Sequence, residues 1–502
     1  MGQEIQQAFD YWHIQNPNQT FHSSFKPYLS KTFYKASDSL IPFKFYAFNN
    51  FFLTKTLNEK PEKRIWYQLQ LHPLIDLEGG QDLLTNRFVK NVTAGTHLKL
   101  NINNDFTFAG TIIGGNIQQP FFLDTNFTNQ KISPEFGQTY GINKTGYSFV
   151  DYFGYLSYSP NNNPYFNLQA GRDKHFIGDG YRSVLLSDFA PAYPFFRINT
   201  NLWHFQYNVW YTWMNDPSLA GGIKNNFANK FGTFHYLSYN IIKELHIGLF
   251  ENVIWRGTDS NQVRTFDPAY LNPIVFYRPQ EFAVGSPDNS FIGFNINSRI
   301  FKTAKLYAQI GLDEFFLKEI RARRGWWANK QAWQLGAKYV NAFKIKGLSI
   351  QAEYNQVRPY TYTHGIVSQN YAHYGYPLAH PLGANFYEYL GIINYRHNRM
   401  QFQIKGNYTV IGKDSTTNLG SNIYLSYVTR PFEYGHKTAQ GIKTEILQSD
   451  VKFTYYLIPD LNLRLELGYI QQSIKNSKGY ELQNPYIYLG LKTSFWNTYR
   501  DY

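Results

Sequence analysis

The sequence predicts an all-β fold: an outer-membrane antiparallel transmembrane β-barrel of about 18 strands, its lumen filled by loops and short helices. Three observations predict it. Aromatic residues make up 19% of the chain, with 42 Tyr and 42 Phe, yet mean hydropathy is −0.44. Wall strands with one face in lipid and the other in water give that combination. Stretches with a period of two recur along the chain, the mark of one buried and one wet face. No apolar run approaches the roughly 18 to 20 residues that a membrane helix needs.

Charge and cysteine content narrow the partners. The formal net charge is +13 and Cys is absent. There is no disulfide framework and no thiolate metal site. Lys and Arg are scattered over alternating stretches and loops, which argues against nucleic acid. A basic lumen or rim facing acidic surface polysaccharide, lipopolysaccharide and outer-membrane lipid is one expectation; a solvated surface with no specific partner is the other. The start, MGQEIQQAFD, has no basic region, apolar core or small-residue cleavage site. A barrel of the bacterial outer membrane must be exported, so removal of a signal peptide is expected.

In chain order, residues 1–22 read as a polar periplasmic segment with a short helix over 4–12, and residues 23–502 as the barrel. Tyr67, Leu69 and Leu71 alternate with Gln68, Gln70 and His72, and Leu98, Leu100 and Ile102 with Lys99, Asn101 and Asn103. In 201–214, Trp203, Phe205, Tyr207, Val209, Tyr211 and Trp213 make one lipid-facing side of a strand, with Trp210 as an exception opposite. Further strands are expected at 149–158, 165–172, 231–241, 245–255, 291–301, 305–316, 332–343, 348–357, 386–395 and 451–457. Phe402, Ile404 and Tyr408 alternate with Gln403, Lys405 and Asn407. Leu463, Leu465 and Leu467 alternate with Arg464 and Glu466. An Arg facing lipid at the midplane costs roughly 2 to 4 kcal/mol, so Arg464 and Glu466 must face the lumen. The closing strand, with Ile487, Leu489 and Leu491 on one face, runs towards the aromatic Tyr502, like the terminal signal read by outer-membrane assembly machinery.

Four stretches break the rhythm, and function belongs there. The first, 171–198, combines Arg172, Asp173, Arg182, Ser187 and Asp188 with the permissive Gly178 and Gly180. It reads as a lumen plug with internally paired charges. The second, 266–289, has four prolines that exclude a long strand, and carries Arg278, Glu281, Asp288 and Asn289. It reads as a second plug element paired with the first. The third, 318–330, holds Arg321, Arg323, Arg324, Trp326 and Trp327. Arg forks bind carboxylates and phosphates, and indole faces stack on sugar rings, so an acidic glycan is the candidate ligand. A rim anchor on lipid headgroups is the other reading. The fourth, 358–385, holds Arg358, Tyr360, Tyr362, His364 and His380. It is an aromatic, hydrogen-bonding loop suited to sugar hydroxyls or to filling the lumen. The spacing of its histidines matches no compact metal motif. No cofactor is expected, and with neither a G-x-S-x-G elbow nor an H-E-x-x-H motif, no enzyme.

At these stretches the chain resembles the Wzi capsule-assembly family, and within it the Bacteroidetes branch that includes the gliding-motility protein RemB. The resemblance is carried by Gly171, Arg172, Gly178, Gly180, Ser183, Leu185, Leu186, Ser187, Ala190 and Pro194. It extends to the DPAYLNPI and GSPDN runs, to Tyr360, Tyr362 and His364, to PLAHPLGAN, and to the closing NTYRDY. It implies an 18-stranded barrel with a filled lumen, and a non-enzymatic lectin that binds or organises capsular polysaccharide. The gliding branch implies instead a structural subunit of a gliding motility or type 9 secretion complex. A diffusion porin is the third expectation.

Overall fold

The computed structural model describes residues 3–16, 21–28, 52–57, 65–103, 105–123, 132–141, 146–160, 163, 165–217, 227–259, 262–263, 267–272 and 288–502. Arg278 and Glu281, with most of 266–289, lie outside the described residues. Among the described residues, eighteen antiparallel strands close into a barrel. They are β1 (Ile65–Asp82), β2 (Arg87–Ile102), β3 (Phe106–Gln118), β4 (Gly146–Tyr158), β5 (Phe166–Asp173), β6 (Tyr193–Leu202), β7 (Phe205–Asp216), β8 (Ala228–Asn240) and β9 (Leu245–Arg256). The second half comprises β10 (Asn289–Ile300), β11 (Ala304–Leu312), β12 (Gln331–Val340), β13 (Leu348–Val357), β14 (Phe386–His397), β15 (Met400–Lys413), β16 (Ile442–Ile458), β17 (Leu463–Asn476) and β18 (Glu481–Lys492). Each strand pairs with the next, and β18 closes on β1 from Tyr486 opposite Asp82 to Lys492 opposite Asp76. No helix among the described residues is long and apolar enough to cross a membrane.

Alternation sets the register. Along β10 the even-numbered Ile292, Phe294 and Ile296 face out, while Asn295, Asn297 and Arg299 are buried inside. A slip of one residue would put every amide and charge of that strand into lipid, so the pattern fixes the pairing. Arg464 does face the lumen, where its Nε donates to Glu466 at 2.7 Å.

Three expectations are corrected here. The stretch 201–214 is not one strand. Trp203 and His204 form the turn between β6 and β7, with Trp203 in the left-handed region at φ 56°. Trp210 breaks the outward pattern because it fills the lumen, stacked 5.2 Å from Phe234 and edge-on to Phe25. The expected strand over 305–316 stops at Leu312, and 317–322 turns into a short helix. The expected strand over 451–457 is only the C-terminal part of β16. Exposed ion pairs (Lys443–Glu445 at 2.7 Å, Lys475–Glu481 at 2.8 Å) carry β16 to β18 beyond the apolar band.

The two ends of the barrel differ. At one end the turns are tight, as at 203–204, 301–303 and 398–399; at the other the connections are long, as at 174–192, 313–330, 358–385 and 414–441. In outer-membrane barrels the tight turns are periplasmic and the long loops extracellular. The helix α1 (Gln3–Gln15) packs at the tight-turn end, where Asp10 meets Lys338 of β12 at 2.5 Å and Arg299 of β10 donates to the His13 carbonyl at 2.9 Å. Residues 21–28 then enter the lumen. Phe25 and Lys26 pair with Ile177 and Phe176, so this stretch belongs to the plug and not to the wall.

Candidate functional site

The segment 174–192 leaves β5 and reaches the opposite wall. Asp179 is its anchor on one side. Its Oδ1 accepts from Ser23 Oγ at 2.8 Å and Lys305 Nζ at 2.5 Å, and its Oδ2 from Ser24 Oγ at 2.5 Å and Asn297 Nδ2 at 2.8 Å. Burial pushes this carboxyl up, but Lys305, Lys26 and the hydrogen bonds outweigh it and hold the group well below the usual carboxylate range. Arg182 is the anchor on the other side. Its guanidinium is fully buried and reaches Glu388 of β14 at 3.2 Å and Asp501 Oδ1 at 3.1 Å, and it donates to the Asp501 carbonyl at 2.5 Å. Glu353 of β13 accepts the backbone N–H groups of Tyr181 and Arg182 at 2.8 and 3.1 Å. Gly180 allows this approach: a Cβ there would sit 2.5 Å from the Glu353 carboxylate and 2.7 Å from the Arg182 carbonyl.

The loop 358–385 descends onto this segment. Tyr362 and Tyr371 donate to the carbonyls of Val184 and Leu185, each at 2.7 Å, and the Ser187 hydroxyl donates to the Ala379 carbonyl. His380 meets Glu388 at 2.9 Å. Residues 493–502 complete the plug from the tight-turn end. Arg500 holds Glu78 at 2.7 and 2.8 Å, Asp501 meets Lys405 at 2.9 Å, and Asp188 accepts from Asn497 and Tyr499 at 2.8 and 2.6 Å. The aromatic Tyr502 therefore does not end a wall strand. It packs 4.8 Å from Phe189 inside the barrel.

The expected pairing between 171–198 and 266–289 is not what the described residues show. Residues 267–272 lie at the outer rim: Tyr211 donates to the Leu271 carbonyl at 2.7 Å, and the Tyr270 ring lies 4.8 Å from Trp255. Tyr211 and Trp255 alternate with the lumen-facing Trp210 and Ile254, so this contact is on the outside of the wall. The apolar aromatics of that face offer Tyr270 a partner the charged lumen lacks. Asp288 and Asn289 join this rim to the loop 358–385 through Gln369, at 2.9 and 2.7 Å. Arg172 and Asp173 end β5. Arg172 bonds Asp151 at 2.7 Å, and Asp173 accepts from the Lys174 N–H at 2.8 Å.

The long-loop end carries a basic and aromatic face built from two loops. Backbone bonds from Trp327 N–H to the Glu433 carbonyl, at 3.0 Å, and between Gly325 and His436, at 2.9 Å, join 313–330 to 414–441. Arg430 lies over the Trp327 ring at 4.1 Å, and Arg324 over Tyr434 at 4.4 Å. Tyr427 packs 4.8 Å from Trp327, with Lys330 over it at 4.2 Å. Arg324 is also held by Glu319, at 2.7 and 2.9 Å. Arg321 and Arg323 are exposed, and Trp326 is half-buried.

The candidate ligand residues thus divide. Arg321, Arg323, Arg324 and Trp326 lie at the rim surface, with Trp327 just beneath it. Arg358 is turned to the Asn329 carbonyl at 2.8 Å. Tyr360 is fully buried and donates to the Asn418 carbonyl at 2.9 Å. Tyr362 and His380 are enclosed in the plug, and His364 is buried beside Tyr427. Sequence reasoning missed the loop 414–441, although its run RPFEYGHK interleaves bases and aromatics as 321–327 does. Among the described residues no group of side chains is placed to hold a metal ion.

Buried histidines make the plug acid-sensitive. Burial, assisted by His246, lowers the imidazole of His22 to about 3; burial and Lys330 lower His364 to about 4; burial and Arg172 lower His373 to about 3. Each is neutral when folded and takes a proton near pH 6.5 when unfolded. Their contribution is present above about pH 6.5 and is lost as pH falls towards the folded values, at about 1.4 kcal/mol per group per unit. Thermal unfolding in detergent is expected at a clearly lower temperature near pH 4.5 than near pH 7, before the carboxylates Asp179 and Asp501 are protonated.

No protein-family model matches the chain, and no curated protein sequence does. Solved structures do. Wzi of Escherichia coli, an outer-membrane protein involved in group 1 capsule assembly and a carbohydrate-binding β-barrel, aligns with a TM-score of 0.59 and 11% identity, over 99% of each chain. Pseudomonas aeruginosa OprD aligns with a TM-score of 0.45 and 10% identity, over 84% of this chain and 94% of that one. The likeness to Wzi is one of fold: an outer-membrane barrel of matching length.

Proposed function

We propose that this chain is a non-enzymatic outer-membrane barrel that binds or organises acidic surface polysaccharide at its long-loop rim. The observation that carries the reading is the two-loop face, where Arg430 over Trp327 and Arg324 over Tyr434 set guanidinium groups beside aromatic planes. Guanidinium forks take carboxylate or phosphate groups of a glycan, and the aromatic faces take its C–H surfaces. The lectin character of Wzi, shared fold in hand, supports the same choice. A lumen crossed by paired, buried charges supports binding over diffusion.

Purified protein in mild detergent is expected to bind an acidic capsular polysaccharide and not a neutral glucan, with affinity falling as salt rises. The double variant Arg324→Ala/Arg430→Ala should weaken binding by about tenfold or more, the scale of one or two charge-assisted hydrogen bonds. Absence of binding at low salt would sink the proposal. Recovery of a stable protein partner from native membranes, with no glycan, would turn the reading to a structural subunit of a gliding or type 9 secretion complex.

A further inference from the structure

We infer that the loop between β11 and β12 also binds the phosphorylated glycolipid of the outer leaflet, through residues separate from the two-loop face. The helix α2 (Leu317–Ala322) sits at the start of this loop. At its start stands a run of three large apolar side chains: Phe315, Phe316 and Leu317 are 39%, 53% and 52% exposed. Along it and at its C-terminal end come cations: Lys318, Arg321 and Arg323 are exposed and make no ion pair among the described residues. Their neighbour Arg324, by contrast, is fixed by Glu319.

Depth in the membrane gives both runs a partner. On β12, Trp333 and Leu335 are exposed on the lipid-facing side, and Trp333 pairs with Ile310 of β11. A Trp in the first turn of wall beneath the long loops marks the interfacial girdle. β11 ends at Leu312, so Phe315 to Leu317 follow that girdle within one helical turn. There the apolar side chains meet acyl chains and the cations meet headgroup phosphates. Leu317 and Arg321 are one turn apart on α2 and so share a face, which sets a basic group beside the apolar run.

The loop is held rigid for this. The Phe316 N–H donates to Asn329 Oδ1 at 3.2 Å, and Arg323 closes the helix in the left-handed region at φ 53°. Anchored cations lose less freedom on meeting a phosphate than mobile ones. A free acidic glycan offers the same anions, but gives three exposed apolar side chains nothing to bury against. The two ligands are therefore separable by experiment.

The probes are vesicles of phosphatidylethanolamine doped with bisphosphorylated lipid A, the same vesicles with dephosphorylated lipid A, and soluble acidic polysaccharide. Detergent-purified protein should bind the first and lose about tenfold on the second, the scale of a lost charge-assisted contact. Arg321→Gln/Arg323→Gln should reproduce that loss on the phosphorylated vesicles, and Phe315→Ser/Phe316→Ser should match it. Both variants alter exposed side chains, and Phe315→Ser/Phe316→Ser, which removes no cation, should keep wild-type affinity for soluble polysaccharide. Unchanged vesicle binding by either variant, or indifference to the phosphates, overturns the inference. Loss confined to polysaccharide overturns it too, and assigns these cations to the two-loop face. A protein that binds lipid A but no polysaccharide leaves this inference standing and removes the earlier one.

Discussion

A chain ending at Lys492 is expected to conduct ions in a planar bilayer where the intact chain does not. An 18-stranded wall leaves an open lumen unless something fills it. Residues 493–502 add no strand, so their removal leaves the wall complete. They do separate two spaces inside it. One, of about 70 Å³, lies between β1 to β3 and the side chains of Trp496, Tyr499, Arg500 and Tyr502. The other, of about 50 Å³, lies between α1, Lys26, Tyr181 and Asn497. Deletion joins them and strips Glu78 of Arg500, and Arg182 and Lys405 of Asp501. The uncovered charges then draw in water and ions. Discrete conductance steps from a correctly folded, heat-modifiable deletion variant are the result to look for. A silent bilayer would show that 174–192 seals the lumen alone.

Arg182→Met is expected to be the most destabilising single substitution in the plug. It leaves Glu388 facing only His380 and Asn355 among its side-chain partners, and takes one of two cations from Asp501. Removing one partner of a buried ion pair costs about 3 to 5 kcal/mol, because the remaining charge stays out of water. The midpoint of the heat-induced shift on gels, or of loss of near-ultraviolet circular dichroism, should fall accordingly. Adding Glu388→Gln should return part of the loss, since it withdraws the charge left without a cation, while Asp501 keeps Lys405. Equal midpoints for wild type and Arg182→Met would mean that the network contributes nothing to holding the plug. In the wild type, burial raises the Asp501 carboxyl, but Arg182 and Lys405 outweigh it and hold it below its ordinary range. Its stabilisation is therefore complete at neutral pH and is lost only in strong acid, below the window in which the histidines act.

Alternation made the wall legible. Phe402, Ile404 and Tyr408 against Gln403, Lys405 and Asn407 leave one choice of face, because lipid tolerates only one of the two sets. The break at 171–198 was equally plain, since Gly178, Gly180 and Pro191 cannot continue a ladder. What fills the lumen was harder to read. Ser23, Ser24 and Asp501 lie far along the chain from Asp179 and Arg182, and nothing local marks a serine or an aspartate as the partner of a distant charge. Tyr362 and His380 misled for the same reason. Tyr and His serve a sugar site and a buried network equally well, and only burial, with the Val184 carbonyl and Glu388 in reach, tells the two apart. Trp203 misled because a turn of two residues interrupts no alternation.

The return segment begins at the seam of the wall. The N–H groups of Thr493 and Ser494 both donate to Asp76 Oδ1, at 2.9 and 3.0 Å, and Thr493 also bonds the Ile75 carbonyl of β1. Asp76 is also the residue opposite Lys492 where β18 joins β1. A half-assembled wall, with that seam open, has no guide to lead Arg500 and Asp501 to Glu78 and Arg182. The seam of the wall and the start of the segment that fills the lumen thus share one carboxylate, Asp76.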